Sequence, residues 1–152
     1  MNDSEVHEPA AKPRVSGIGR LLIAVYGVLA LAATGRSFVQ IASEFTDAPL
    51  AYSLSALAAV VYIIATIALI KRSVLWYKIA WITISFELLG VLVVGTLSLL
   101  EPALFQHKTV WSVFGQGYGF VPLVLPLLGM WWLSRHPISA AVEPQIGRGG
   151  SE

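Results

Sequence analysis

Between residues 17 and 133 the chain is built from long apolar runs separated by short polar breaks. The runs cover residues 17–42, 49–70, 79–100 and 117–133. The second carries no charge, and the third is interrupted only by Glu87. None alternates apolar and polar residues with the period of 2 that marks a barrel strand, so all four are predicted as helices. At 1.5 Å per residue, ~20 apolar residues span the ~30 Å hydrocarbon core of a bilayer. Each run is long enough, the fourth being the shortest.

The breaks between the runs are "SEFTDA", "KRSVLWYK" and "EPALFQHKTVWSVFGQ". Thr46 or Asp47 is expected to cap the second helix, with Pro49 in its first turn. Short connections make consecutive helices antiparallel neighbours. The predicted fold is therefore all-α: a polytopic membrane protein whose residues 17–134 form an antiparallel four-helix transmembrane bundle. Residues 1–16 and 135–152 are polar and proline-bearing, and are expected to be disordered cytoplasmic tails. The first run contains "LLIAVYGVLALAA", and Ala30-Leu31-Ala32 looks like a signal-peptide cleavage site. The apolar stretch continues through Phe38, Val39 and Ile41, so it is read as a retained span.

Composition agrees with lipid as the solvent. The chain is 56% hydrophobic and 12% charged, with mean hydropathy +0.72. A soluble average is about 25% charged, and a water-soluble domain of 152 residues has too little interior to hide so much apolar surface. The 10 Lys and Arg residues are distributed unevenly. With the N-terminus inside, Lys12, Arg14, Arg20, Lys71, Arg72, Lys78, Arg135 and Arg148 fall on the inner side, against Arg36 and Lys108 on the outer. This places both termini in the cytoplasm and the protein in the plasma membrane. Trp76, Tyr77, Trp81, Trp131 and Trp132 suit the inner headgroup level, and Trp111 suits the outer one.

Glu87 is the residue that asks for an explanation. A carboxylate facing acyl chains costs several kcal/mol, so Glu87 is expected to face the bundle interior. Thr83 and Gly90, one turn to either side, give that face a small and polar character. Two partners come into question. Tyr62 on the second helix lies at a similar depth. Arg36, with Gln40 one turn beyond it, is the intramembrane cation, but it lies about 9 to 13 Å from Glu87 along the membrane normal. Thr83, Gln40, Tyr62, Arg36 and Glu87 thus form a candidate intramembrane polar site. The alternative is plain: one buried acid acts as a packing hydrogen bond, and Arg36 snorkels to the interface. In the fourth run Pro122 and Pro126 each remove a backbone donor, so a bend is expected there and the pair is a candidate hinge.

Many chemistries lack their residues. There are no cysteines, which excludes disulfides, thiol redox chemistry and thiolate metal sites. No nucleophile–base set, phosphate-binding glycine loop or metal-ligand spacing is present. No cofactor is implied, and no basic surface points to nucleic acid.

At "APLAYSLSALAAVVYIIATIAL", "FELLGVLVVGTLSLL" and "TVWSVFGQGYGFVPLVLPLLG" the chain resembles a group of small four-span integral membrane proteins of actinobacteria, over roughly residues 35–130. That group has no assigned activity, so the resemblance implies location and topology alone. Small multidrug transporters are more distantly similar. They carry their membrane glutamate on the first helix, whereas Glu87 is on the third, and their activity is not carried over. The expected role is a non-enzymatic accessory or interaction subunit. The alternative is a small oligomeric transporter or channel using Glu87 as a proton or cation site. The expected partners are the bilayer and either another membrane protein or further copies of the chain.

Overall fold

The computed structural model describes residues 17–44, 46–71 and 73–138, and these are helical with no strand. The expected tail at residues 1–16, and that at 135–152 beyond residue 138, lie outside the described residues. Four α-helices follow in order: α1 (Gly17–Glu44), α2 (Pro49–Ile70), α3 (Val74–Leu100) and α4 (Val121–Arg135). Two 3-10 stretches, Pro102–Phe105 and Ser112–Tyr118, lie between α3 and α4. The first three α-helices are long and apolar enough to cross a membrane.

Each helix is apolar all round, yet only one stripe of it is buried. On α3 the stripe is Ala80, Thr83, Ile84, Glu87, Val91, Val94 and Ser98, at the three-and-four spacing of a helix face. On α2 it runs through Tyr52, Ser55, Ala59, Tyr62, Ala65 and Leu69. On α1 it includes Leu22, Tyr26, Leu29, Ala30 and Ala33. The other faces present Leu31, Phe38, Ile82 and Leu100 outward, each about 70% exposed or more. Such surfaces need acyl chains around them rather than water. α1 packs along α2, α2 on α3 and α3 on α4, while α1 and α4 meet at few positions. Small residues on the buried stripes, Ala33, Ala58 and Ala65 among them, let the helix axes approach closely.

The ends of the helices depart from expectation in three places. α2 starts at Pro49 with Ala48 as its cap residue, and neither Thr46 nor Asp47 caps it through a side chain. α3 begins at Val74 rather than residue 79. Ser73 caps it by accepting from the Trp76 N–H at 3.4 Å, so the interfacial aromatics continue the helix. The fourth apolar run is not one helix over residues 117–133. It is broken at Gly119 and Phe120, whose φ values are both positive, and Ser112–Tyr118 meets α4 at 98°.

Between α3 and α4 the chain folds back onto the bundle. Thr109 and Ser112 tie a tight turn. The Thr109 N–H donates to Ser112 Oγ at 2.8 Å, and Thr109 Oγ1 accepts from the N–H groups of Ser112 and Trp111 at 3.0 and 3.1 Å. The returning segment then lies along the C-terminal half of α3. A Cβ built on Gly90 would stand 2.8 Å from the Trp111 ring, and one on Gly95 2.8 Å from the Phe114 backbone nitrogen. Only glycine permits these approaches. Ser98 Oγ accepts from the Val113 N–H at 2.7 Å and fixes the register. Val113, Phe114 and Gly115 are all left-handed, at φ of 50, 58 and 79°. For a β-branched valine this is a costly conformation, held by the contacts on either side.

Candidate functional site

α3 places Glu87 at the centre of its buried stripe, and no part of the side chain is exposed. One carboxylate oxygen, Oε2, accepts from the Tyr26 hydroxyl on α1 at 2.7 Å. The other, Oε1, is buried without a hydrogen-bond partner. Neither Tyr62 nor Arg36 is the partner. Tyr26 stands on the buried stripe of α1, and its hydroxyl reaches Glu87 on α3 close to Gly129 of α4. A Cβ on Gly129 would lie 3.7 Å from the Tyr26 hydroxyl and 3.2 Å from Ile84.

Tyr62 instead accepts from the Trp111 indole Nε1–H at 3.1 Å. Its ring sits 6.3 Å from that of Tyr26, tilted by 53°, so the two tyrosines share one packed core beside Glu87. Trp111 is therefore not an interfacial anchor: it is 2% exposed, and its ring covers Gly90, one helical turn from Glu87. The indole and its segment close the core on the side where α3 ends.

The remaining candidates stand apart from this core. Thr83 Oγ1 donates to the Ile79 carbonyl of its own helix at 2.7 Å. Arg36 donates through Nη2 to the Lys108 backbone carbonyl, while its Nε is buried and unpartnered. Gln40 Oε1 is buried and unpartnered as well. Pro122 is the second residue of α4, where a missing N–H is harmless, and Pro126 lies inside the helix. Both are fully buried and stand after the 98° break rather than at it.

Chemically, the core holds one carboxyl group with a single satisfied oxygen, two phenols and an indole. Among the described residues no group of three His, Asp or Glu side chains could hold a metal ion. An apolar groove between α1 and α2, bounded by Ile23, Gly27, Leu31, Ile63 and Ile67, opens on the exposed side of the pair, and Glu87 is not among its walls. The sequence signals for the two unexpected members were modest. Tyr26 falls at i+4 from Leu22 and i−4 from Ala30, and "TVWS" carries the turn that seats Trp111.

No protein family matches the chain, and no curated protein or solved structure matches it either.

Proposed function

We propose that the chain is a four-span protein of the plasma membrane with both termini in the cytoplasm, acting as a non-enzymatic accessory or interaction subunit. Three helices of membrane-crossing length support the topology, and the bent pair Ser112–Tyr118 and Val121–Arg135 would supply a fourth crossing. The skew of Lys and Arg supports the orientation. The resemblance to four-span actinobacterial proteins implies location and topology alone.

Glu87 carries the proposal. A fully buried carboxyl bonded to a tyrosine of another helix is suited to holding a bundle together. The role then belongs to the surfaces the bundle presents. The test compares Glu87→Gln with Glu87→Ala in membranes. Gln keeps an acceptor for Tyr26, so folding and any partner co-purifying from native membrane in mild detergent are retained, whereas Ala weakens both. Loss of the partner with Gln, in a protein that still folds, would defeat the proposal.

A second reading is a small oligomeric transporter or channel with Glu87 as its proton or cation site. The free Oε1 favours it, together with the folded-back segment whose Trp111 stands between Glu87 and the end of the bundle. Several copies would be needed, because one four-helix bundle has little room for a pore. A pH-dependent flux in proteoliposomes, abolished by Glu87→Gln in a normally folded protein, would select it.

A further inference from the structure

We infer that the groove between α1 and α2 holds a chain of an acidic phospholipid, whose headgroup lies against Arg20 and Lys71. The inference rests on the membrane placement proposed above. The groove has a volume of about 490 Å³, with Gly27 and Leu31 on its α1 wall and Ile63 and Ile67 on its α2 wall. Gly27 keeps it open: a Cβ built there would come no closer to a neighbour than 3.9 Å, from Thr66 Cγ2. The Thr66 hydroxyl donates to the Tyr62 carbonyl of its own helix at 2.7 Å, so the methyl is the part that faces Gly27. The lining is therefore apolar. Val28 and Leu31 along the groove are 64% and 77% exposed, so it opens outward, where acyl chains are.

Two cations stand at one end of the groove, where α1 begins and α2 finishes. Arg20 precedes Ala24 by one turn and Gly27 by two, so it lies on the groove face of α1. Lys71 follows Ile67 by one turn on α2. Both are exposed. Lys71 Nζ lies 4.7 Å from the centre of the Trp76 ring, which holds the ammonium beside an interfacial aromatic and leaves its donors open to an anion. No Asp or Glu occurs in residues 17–31 or 60–71, so neither helix supplies a counter-anion. At 1.5 Å per residue Gly27 and Leu31 lie about 10 and about 16 Å along the axis from Arg20, within the reach of one acyl chain.

An acidic phospholipid meets both halves of this arrangement. Its phosphodiester oxygens accept from the guanidinium and the ammonium, and its net charge answers the two cations. Its chain covers Gly27 and fills the space between Leu31 and Ile67. Other occupants meet one half alone. A free anion leaves the groove empty. A zwitterionic lipid already neutralises its phosphate with its own ammonium. The same helices of a second copy could fill the groove, yet residues 17–31 and 60–71 bring no acid to its mouth.

The test uses the full chain in detergent micelles and in vesicles. Thermal stability is read with added phosphatidylglycerol, phosphatidylcholine or inorganic phosphate, and retained lipid is read by native mass spectrometry. Phosphatidylglycerol should raise Tm by several degrees and stay bound, and the other two should not. Arg20→Gln should lose most of the increment and Lys71→Gln part of it. Lys78→Gln, which removes a charge from α3 at the same end, should keep it. Gly27→Leu fills the groove with both cations intact and should lose the retained lipid. If that variant does not fold, Leu31→Trp on the exposed wall takes its place. Retention unchanged by the filling variant overturns the groove. An equal increment from phosphatidylcholine, or equal losses with Lys78→Gln and Arg20→Gln, overturns the headgroup site. Inorganic phosphate matching phosphatidylglycerol overturns the lipid in favour of a free anion. A disulfide between two copies through Val28→Cys assigns the groove to a second copy, and overturns the lipid too. Failure to float with vesicles defeats the membrane placement itself, whereas flotation without lipid preference defeats this site alone.

Discussion

The Tyr26 hydroxyl donates to Glu87 at 2.7 Å and ties α1 to α3 across 61 residues of sequence. Removing the donor leaves Oε2 buried and unmet beside an already unpartnered Oε1. Tyr26→Phe should therefore destabilise by about 1–2 kcal/mol, at the upper end for a hydrogen bond between membrane helices. Glu87→Leu removes the acceptor together with its buried carboxyl group. The double variant should lose less than the sum of the two, because they share one bond. Reversible unfolding in micelles measures the cycle, and strict additivity would show that the bond contributes nothing.

Gly90→Ala and Gly95→Ala should differ in severity. The added methyl at Gly90 meets the far edge of the Trp111 ring, which can tilt away at the expense of its bond to Tyr62. At Gly95 it meets the Phe114 backbone nitrogen, and the whole folded-back segment must move. Costs of about 1 and about 3 kcal/mol are expected, within the usual range for overpacking. Equal melting temperatures for the two variants would argue against the seating of residues 109–118 on α3.

Val113→Asn should stabilise the protein by up to about 1 kcal/mol. Asparagine tolerates φ near 50° far better than a β-branched side chain, and the backbone N–H bonded to Ser98 is unchanged. Val113→Ile keeps the strain and should give no gain. Thermal unfolding of the pair tests the left-handed geometry directly, and a loss of stability on Val113→Asn would contradict it.

If α2 and α3 each cross the membrane, a labelling prediction follows. Cysteines placed at Asp47 and His107 should react with an impermeant reagent from one side of the membrane, and one at Ser73 from the other. All three residues are exposed at helix ends, so access is not limited by packing. Labelling of positions 47 and 73 from the same side would remove α2 as a crossing.

Much of the helical plan could be read from composition, because charge and proline mark its borders. α2 fills the uncharged run from Pro49, and Lys71 follows its last residue. The start of α3 was obscured by Trp76, Tyr77 and Lys78, which resemble a loop at an interface yet continue a helix capped by Ser73. The partner of Glu87 was hidden for a different reason. Ranking partners by depth in centred runs favours Tyr62, and depth says nothing of which face of α1 turns inward. An evenly apolar helix has too little periodicity to reveal it. The break before α4 had visible ingredients in Gly119 and Pro122, but its place depends on the seat that Gly90 and Gly95 provide for the preceding segment.

The 15 residues of α4 reach about 22 Å at 1.5 Å each, while the neighbouring α3 has 27. Around such a bundle the hydrocarbon meets a tall wall on one flank and a low one on the other. If α4 itself crosses the membrane, the bilayer beside it must thin to match its length, and the molecule is expected to pucker its own patch of membrane. Thin or curved bilayers relieve that distortion. Two copies placed low wall to low wall would share a single dimple, an attraction that needs no specific contact between them.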